Sequence, residues 1–296
     1  MNLKYRILWI ENEEDWVESI EDQIQEYLEN LGFVYERKLI AKEEQDISYN
    51  DYDLILMDLN LADQPNGAEL ISKIRDLGVY TDVVFYSASG MAELRAKGRE
   101  KELEGVFYSG RTPDTAFVNR VKAVIDATLK KVQDLNNLRG LVMAEVSELD
   151  ALMDKIILSY FNTGERMALF HKHITANREK TLRDSLNCAN KCQLTWRGKD
   201  IQEIVSLLDS SQKARAIKII IEQSWPNLYK EGNFYEDYVK AIITPRNELA
   251  HCKSEIREGK EILLTRKGDK CFDATFFKEI RKNILKYTRV FNELLQ

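Results

Sequence analysis

The sequence predicts a doubly wound α/β domain with five parallel strands, followed by a mainly α-helical domain that carries a small β-hairpin. Three observations lead there. Apolar runs of strand length recur through residues 1–128 and alternate with helical repeats. Several of these runs empty abruptly into polar loops, as buried parallel strands do at their carboxyl ends. From Thr115 onward apolar residues recur mostly at steps of three and four, the period of helices.

The elements follow in order. Arg6 to Ile10 is an apolar run that ends in Glu11, Asn12, Glu13, Glu14 and Asp15. Trp16, Ile20, Ile24, Leu28 and Leu31 then keep helical spacing up to Gly32. Val34 to Ala41 predicts a second strand and Leu54 to Leu59 a third, whose run Leu54, Ile55, Leu56 and Met57 delivers Asp58 into a loop. Ala68 to Leu77 predicts a short helix closed by Gly78. Val83 to Tyr86 leads into Ser87, Ala88, Ser89 and Gly90; Val106 to Tyr108 leads to Ser109, Gly110 and Arg111. Between Thr115 and Tyr160 there is no proline, and the apolar steps predict one extended helix or two nearly coaxial ones. Helical pattern then runs from Glu165 to Gln223, with breaks near Gly164, near Gly198 and at Trp225-Pro226. A further helix over Tyr235 to Ile243 follows, then a hairpin with Ile262 to Thr265 and Lys270 to Phe272 around Lys267-Gly268-Asp269. The last helix covers Ala274 to Leu295. The expected domains are residues 1–128, a connecting helix at 129–160 counted with the second domain, and residues 161–296.

Composition bounds the function. At 296 residues and 44% hydrophobic content the chain can bury two cores. The net charge of −6 divides unevenly. Residues 1–130 hold 15 Lys and Arg against 26 Asp and Glu, while residues 131–296 hold 28 against 23. An acidic front suits a cation, and a basic back half permits an anionic partner such as RNA. Cys188, Cys192, Cys252 and Cys271 read as free thiols of a reducing compartment; the Cys188 and Cys192 spacing is a weak signal for a metal pair. No apolar run reaches the ~20 residues of a membrane span. The expectation is a cytoplasmic protein without a membrane partner.

Topology alone gathers the polar ends of four strands on one rim: Glu11 and Asn12, Asp58, Ser87, and Ser109. Two or three hard oxygen ligands there suit Mg²⁺. A loop-mounted carboxylate beside such an ion can attack phosphorus and form an acyl phosphate, and a neighbouring hydroxyl can bind the new oxygens. The stretches RILWIEN, LILMDLNL with NGAEL, and VVFYSAS resemble the receiver domain of two-component response regulators over about residues 3–128. The resemblance implies that Asp58 is the phosphoacceptor and that Glu11 and Asn12 fill the acidic metal positions. It further implies a backbone ligand in the Asn60 carbonyl, a switch hydroxyl in Ser87, and a sensor kinase as partner. Gly67 fits the family's turn before the next helix. Two departures stand out. The family usually has two aspartates where this chain has Glu11 and Asn12, and a lysine where it has Ser109. Either Arg111 substitutes for that lysine or phosphorylation is weak, since an arginine fork is longer and shaped differently.

In the back half the candidate chemistry is Arg246-Asn247-Glu248-Leu249-Ala250-His251, directly after Pro245. Proline in a first turn places Arg246 and Asn247 near a helix amino end, where anions are favoured. Asn247 and His251 share a helix face. Arginine can hold a phosphate and histidine can move a proton near neutral pH, so the trio can cleave RNA without metal. The hexad resembles the HEPN family, whose mark is Arg, four to six residues, then His. That resemblance implies an endoribonuclease site of Arg246, Asn247 and His251, doubled across a homodimer and needing no cofactor. His171 and His173 read as structural or surface residues. The expected function is a signalling regulator whose first domain, with Mg²⁺ and phosphate on Asp58, controls a metal-independent ribonuclease. The alternative is a non-catalytic helical module that binds a protein or RNA. DNA binding is disfavoured because no recognition helix is evident.

Overall fold

The computed structural model describes residues 3–44, 46–62, 65–132, 135–175, 200–230, 232–257, 260–265, 268–270, 272 and 274–296. The chain forms two compact units, residues 1–138 and 139–296.

In the first unit the elements run β1 (Lys4–Ile10), α1 (Glu14–Asn30), β2 (Val34–Ile40), β3 (Leu54–Asp58), α2 (Gly67–Asp76), β4 (Val83–Ser87), α3 (Met91–Glu100), β5 (Val106–Gly110) and α4 (Asp114–Val132). The sheet order is β2-β1-β3-β4-β5 with every pair parallel, the flavodoxin-like arrangement of receiver folds. The predicted sheet is therefore present. β3 and β4 are buried at every residue, which explains why their sequences are apolar throughout. α1 turns Val17, Ile20, Ile24 and Leu28 inward. Removing each such side chain from water contributes about 2 kcal/mol. On the opposite face Leu8, Ile10, Ile55, Met57, Val83 and Phe85 pack with Leu70, Ile71 and Ile74 of α2 and Leu94 of α3.

The junction between β3 and α2 is built by Asn66 and Gly67. Asn66 caps α2 through a reciprocal pair with Glu69: its side chain accepts from the Glu69 amide at 3.0 Å, and the Glu69 carboxylate accepts from the Asn66 amide at 3.3 Å. The Gly67 amide donates to the Leu59 carbonyl at 3.0 Å, and a Cβ at Gly67 would lie 1.9 Å from the Asp58 carbonyl oxygen. Only glycine lets the helix start this close to the end of β3.

The second unit contains α5 (Leu135–Tyr160), α6 (Gly164–Phe170), a π-helical turn (His171–Thr175), α7 (Ile201–Ser206), α8 (Ser210–Ser224), α9 (Phe234–Tyr238), a second π turn (Val239–Ile243), α10 (Thr244–His251), β6 (Lys253–Arg257), β7 (Lys260–Thr265), β8 (Gly268–Lys270) and α11 (Ala274–Leu294). Val142, Val146, Leu149, Met153, Ile156 and Ile157 form the buried stripe of α5. Tyr238 meets Tyr287 and Phe291 of α11 at ring centroids of 4.8 and 5.8 Å.

The long apolar stretch is two helices, α4 and α5, in keeping with the two-helix alternative, and residues 133–134 between them lie outside the described residues. Two expectations change. The hairpin is part of a three-stranded antiparallel sheet, β6-β7-β8, in which Thr265 pairs with Gly268. Pro245 lies in the first turn of α10, as expected, but that amino end is not free, because α10 continues directly from the second π turn. Tyr238, Ile243 and Thr244 all have right-handed helical backbone, and the Thr244 amide reaches the Val239 carbonyl five residues back. The wide π turn lets the helix run on into a segment where proline supplies no amide. The argument for a free helix amino end at Arg246 falls with it.

Candidate functional site

The parallel register sets the rim. Ile10 pairs with Met57, so Glu11 is level with Asp58; Asp58 pairs with Tyr86, and Tyr86 with Ser109. The structure thus brings Glu11, Asp58, Ser87, Ser109 and Arg111 to one edge, all buried.

Asp58 is 4% exposed. Its Oδ2 accepts the Asn60 amide at 2.9 Å. Burial, reinforced by the like charge of Glu11, pushes its carboxyl up to about 7, although the amides of Asn60 and Leu59 and the charge of Arg111 pull the other way. Glu11 is likewise raised, by burial first. Its Oε1 accepts the Glu13 amide at 2.9 Å and its Oε2 accepts the Tyr86 hydroxyl at 3.0 Å. Tyr86 in turn accepts the indole N–H of Trp9 at 2.8 Å.

On the other side of the rim the Asn60 amide group donates to Ser87 Oγ at 3.4 Å and Ser89 Oγ at 3.0 Å, and the Ser89 amide donates to Ser87 Oγ at 3.0 Å. Ser87 accepts both bonds, so its own proton remains available for an incoming oxygen. The Ser109 hydroxyl, at the position where the family has a lysine, donates to the neighbouring Gly110 carbonyl at 3.0 Å. Asn12 is exposed at the mouth.

Arg111 continues the line of β5, its amide donating to the Ser87 carbonyl at 3.1 Å. The guanidinium donates to Glu13 Oε2 at 2.6 Å, lies 3.9 Å from Glu11 Oε2, and stacks 4.1 Å from the centroid of the Trp16 ring. Burial works against its charge; the Glu13 hydrogen bond and the attraction of Glu11 outweigh it and raise its affinity for the proton. Arg111 thus faces the β1 loop.

Whether this donor set fits a hard divalent cation turns on Glu11 and Asp58. Both carboxyls are raised, each by burial first and Asp58 also by the charge of Glu11, despite the nearby charge of Arg111, and a cation would add the positive charge that favours their ionised forms. The set fits. Among the described residues no group of three His, Cys, Asp or Glu side chains could hold a metal, so main-chain and water oxygens would have to complete the coordination.

Sequence reasoning missed Trp9, Glu13, Trp16 and Tyr86. Glu13 lay in the acidic run after β1. Tyr86 read as a core aromatic because nothing in VVFYS marks a hydroxyl aimed at the rim.

In the second unit Asn247 and His251 are exposed, one turn apart on α10, and Arg246 donates to Asn247 Oδ1 at 3.0 Å. Arg246 also attracts Asp150, whose carboxyl burial raises and whose Oδ2 accepts the Ser210 hydroxyl at 2.7 Å. Its Nε is buried without a partner among the described residues. A cleft of about 400 Å³ beside the second π turn is lined by Tyr229, Asp237, Lys240, Pro245, Asn283 and Tyr287; neither Arg246 nor His251 lines it. The ring of His171 packs edge-on against Phe170 at 6.2 Å. Cys188, Cys192 and Cys271 lie outside the described residues, and Cys252 is a buried free thiol whose sulfur donates to the Leu249 carbonyl. No described helix is long and apolar enough to cross a membrane.

No family model matches the chain, and no curated protein matches it. Among solved structures, the receiver domain of a Francisella response regulator is 16% identical, over 44% of this chain and 100% of its own, with a TM-score of 0.34. A CheY-like response regulator receiver domain from Methanospirillum hungatei JF-1 is 19% identical, over 43% and 98%, at 0.33. A two-component response regulator from Clostridium difficile is 20% identical, over 44% and 100%, at 0.34. These likenesses fall on the N-terminal part of the chain.

Proposed function

We propose that the chain is a signalling regulator in which Asp58 accepts a phosphoryl group with Mg²⁺ and the second unit is the output. The observation that carries this is the alignment of Asp58 with Glu11 across β1 and β3, with the Ser87 hydroxyl one strand away. Glu11, Asp58 and the Asn60 carbonyl would hold the ion, with Asn12 at the mouth. The ion supplies charge neutralisation for the incoming phosphoryl oxygens. Asp58 Oδ carries the attack once deprotonated, the Asn60 amide orients the carboxylate, and Ser87 donates its proton to a phosphoryl oxygen. A histidine kinase is the matching donor. Incubation with a small phosphodonor and Mg²⁺ should add one phosphate to the wild type and none to Asp58→Asn; a wild type that gains no mass overturns the reading.

For the output we propose metal-independent RNA cleavage by a homodimer. His251 and Asn247, exposed on one face of α10 with Arg246 bonded to Asn247, support it. His251 would move the proton of the 2′-hydroxyl and Arg246 would neutralise the phosphorane. Purified protein in EDTA should cut RNA, and His251→Ala should not. Equal cleavage by both removes the assignment; RNA bound but left whole favours a non-catalytic interaction module.

A further inference from the structure

The residue at the rim that neither the phosphoryl chemistry nor the core explains is Arg111. It is 7% exposed, and three contacts hold it: Glu13 at 2.6 Å, Glu11 at 3.9 Å, and the face of Trp16 at 4.1 Å. A further ring wall lies behind Trp16, with Phe117 and Tyr86 centroids at 5.1 and 5.5 Å. Such a guanidinium is expensive to bury unless it answers a buried negative charge, and Glu11, level with Asp58, is that charge.

We propose that Arg111 sets the ion affinity of the rim: it is a resident cation that partly compensates Glu11, 3.9 Å away, so that a divalent ion must compete with its charge to bind Glu11 and Asp58. This rests on the Asp58 reading and deepens it. Arg111 is then not a stand-in for the family's lysine, because its fork is engaged by Glu13 and the face of Trp16. The arrangement also ties ion entry to an aromatic reporter. When an ion takes over Glu11, the guanidinium loses one of its two carboxylate partners and its place over Trp16 changes.

The consequence is an ion affinity set by one side chain. A guanidinium 3.9 Å from Glu11 opposes a divalent ion at the same carboxylate by roughly a factor of ten or more, at a dielectric between those of water and protein. Calorimetric titration of the full chain with Mg²⁺ should therefore give at least about tenfold tighter binding to Arg111→Gln than to the wild type. Equal or weaker binding by Arg111→Gln, or none, overturns the proposal. A second measurement leaves Arg111 in place, in case Arg111→Gln does not fold: Mg²⁺ should alter the tryptophan emission of the wild type, and Trp16→Phe should remove that change. Calorimetric binding with no emission change assignable to Trp16 also overturns it. Failure of the Asp58 reading shows separately, as the absence of phosphate after phosphodonor treatment in wild type and Arg111→Gln alike.

Discussion

Asp58→Asn should stabilise the first unit by an amount that grows from about pH 4 and levels off above about pH 7. Asp58 is 4% exposed and its carboxyl is pushed from 3.8 to about 7 by burial and by Glu11. A carboxyl raised on folding binds its proton more tightly in the folded than in the unfolded chain. Stability from this group is therefore fully present below pH 3.8 and is lost as pH rises to about 7, at up to 1.36 kcal/mol per pH unit. Over that interval the loss is about 4 kcal/mol. Asparagine has the same shape and no charge to bury, so the variant should escape the loss. The assay is urea unfolding of the full chain without divalent ions, read by hydrogen exchange of β1 and β3 peptides, from pH 4 to pH 8. Wild type and variant should coincide near pH 4 and separate by a few kcal/mol at pH 8. A variant no more stable at pH 8, or one gaining as much at pH 4, refutes the account of the rim as an undercompensated carboxylate pair.

Two further substitutions probe the scaffold. Gly67→Ala places a methyl 1.9 Å from the Asp58 carbonyl oxygen and should cost about 1–3 kcal/mol, seen as a lower thermal midpoint; an unchanged midpoint would show that the β3–α2 junction relaxes freely. Tyr86→Phe removes the hydroxyl between Trp9 Nε1 and Glu11 Oε2, leaving a buried donor and a carboxylate without this partner. A loss of about 1–3 kcal/mol in urea unfolding is expected, and a neutral effect would refute the role of that hydroxyl.

The sheet was readable in the sequence because parallel strands buried on both faces must be apolar along their length, and LILMD and VVFYS are. The placing of Asp58 and Ser87 followed from topology, since strand ends in such a sheet share an edge. Other elements left weaker traces. α3 buries only Leu94 and Gly98 among its ten residues, so its apolar repeat is faint. β6, KSEIR, carries one large apolar residue and owes its existence to pairing with β7. Pro245 read as a helix start because proline is commonest there, whereas here a π turn accommodates it. The direction of the Arg111 side chain lies beyond sequence reasoning altogether: it depends on Glu13, 98 residues earlier in the chain, on Trp16, and on which carboxylates the register brings level.

The π turn at Val239–Ile243 has a consequence for how the second unit tolerates change in length. A π turn holds one residue more than the α turn it replaces, so removing a single residue there can leave an unbroken α-helix. The wide turn absorbs the extra residue without turning the chain beyond it, so the helix after the deletion would keep its faces. Leu249 would stay in the core, and Asn247 and His251 would stay exposed on one side. A deletion within the regular α-helical turns of α10 would instead rotate everything beyond it by about 100°, so the π turn is where this helix can lose a residue and leave its Asn247–His251 face unchanged.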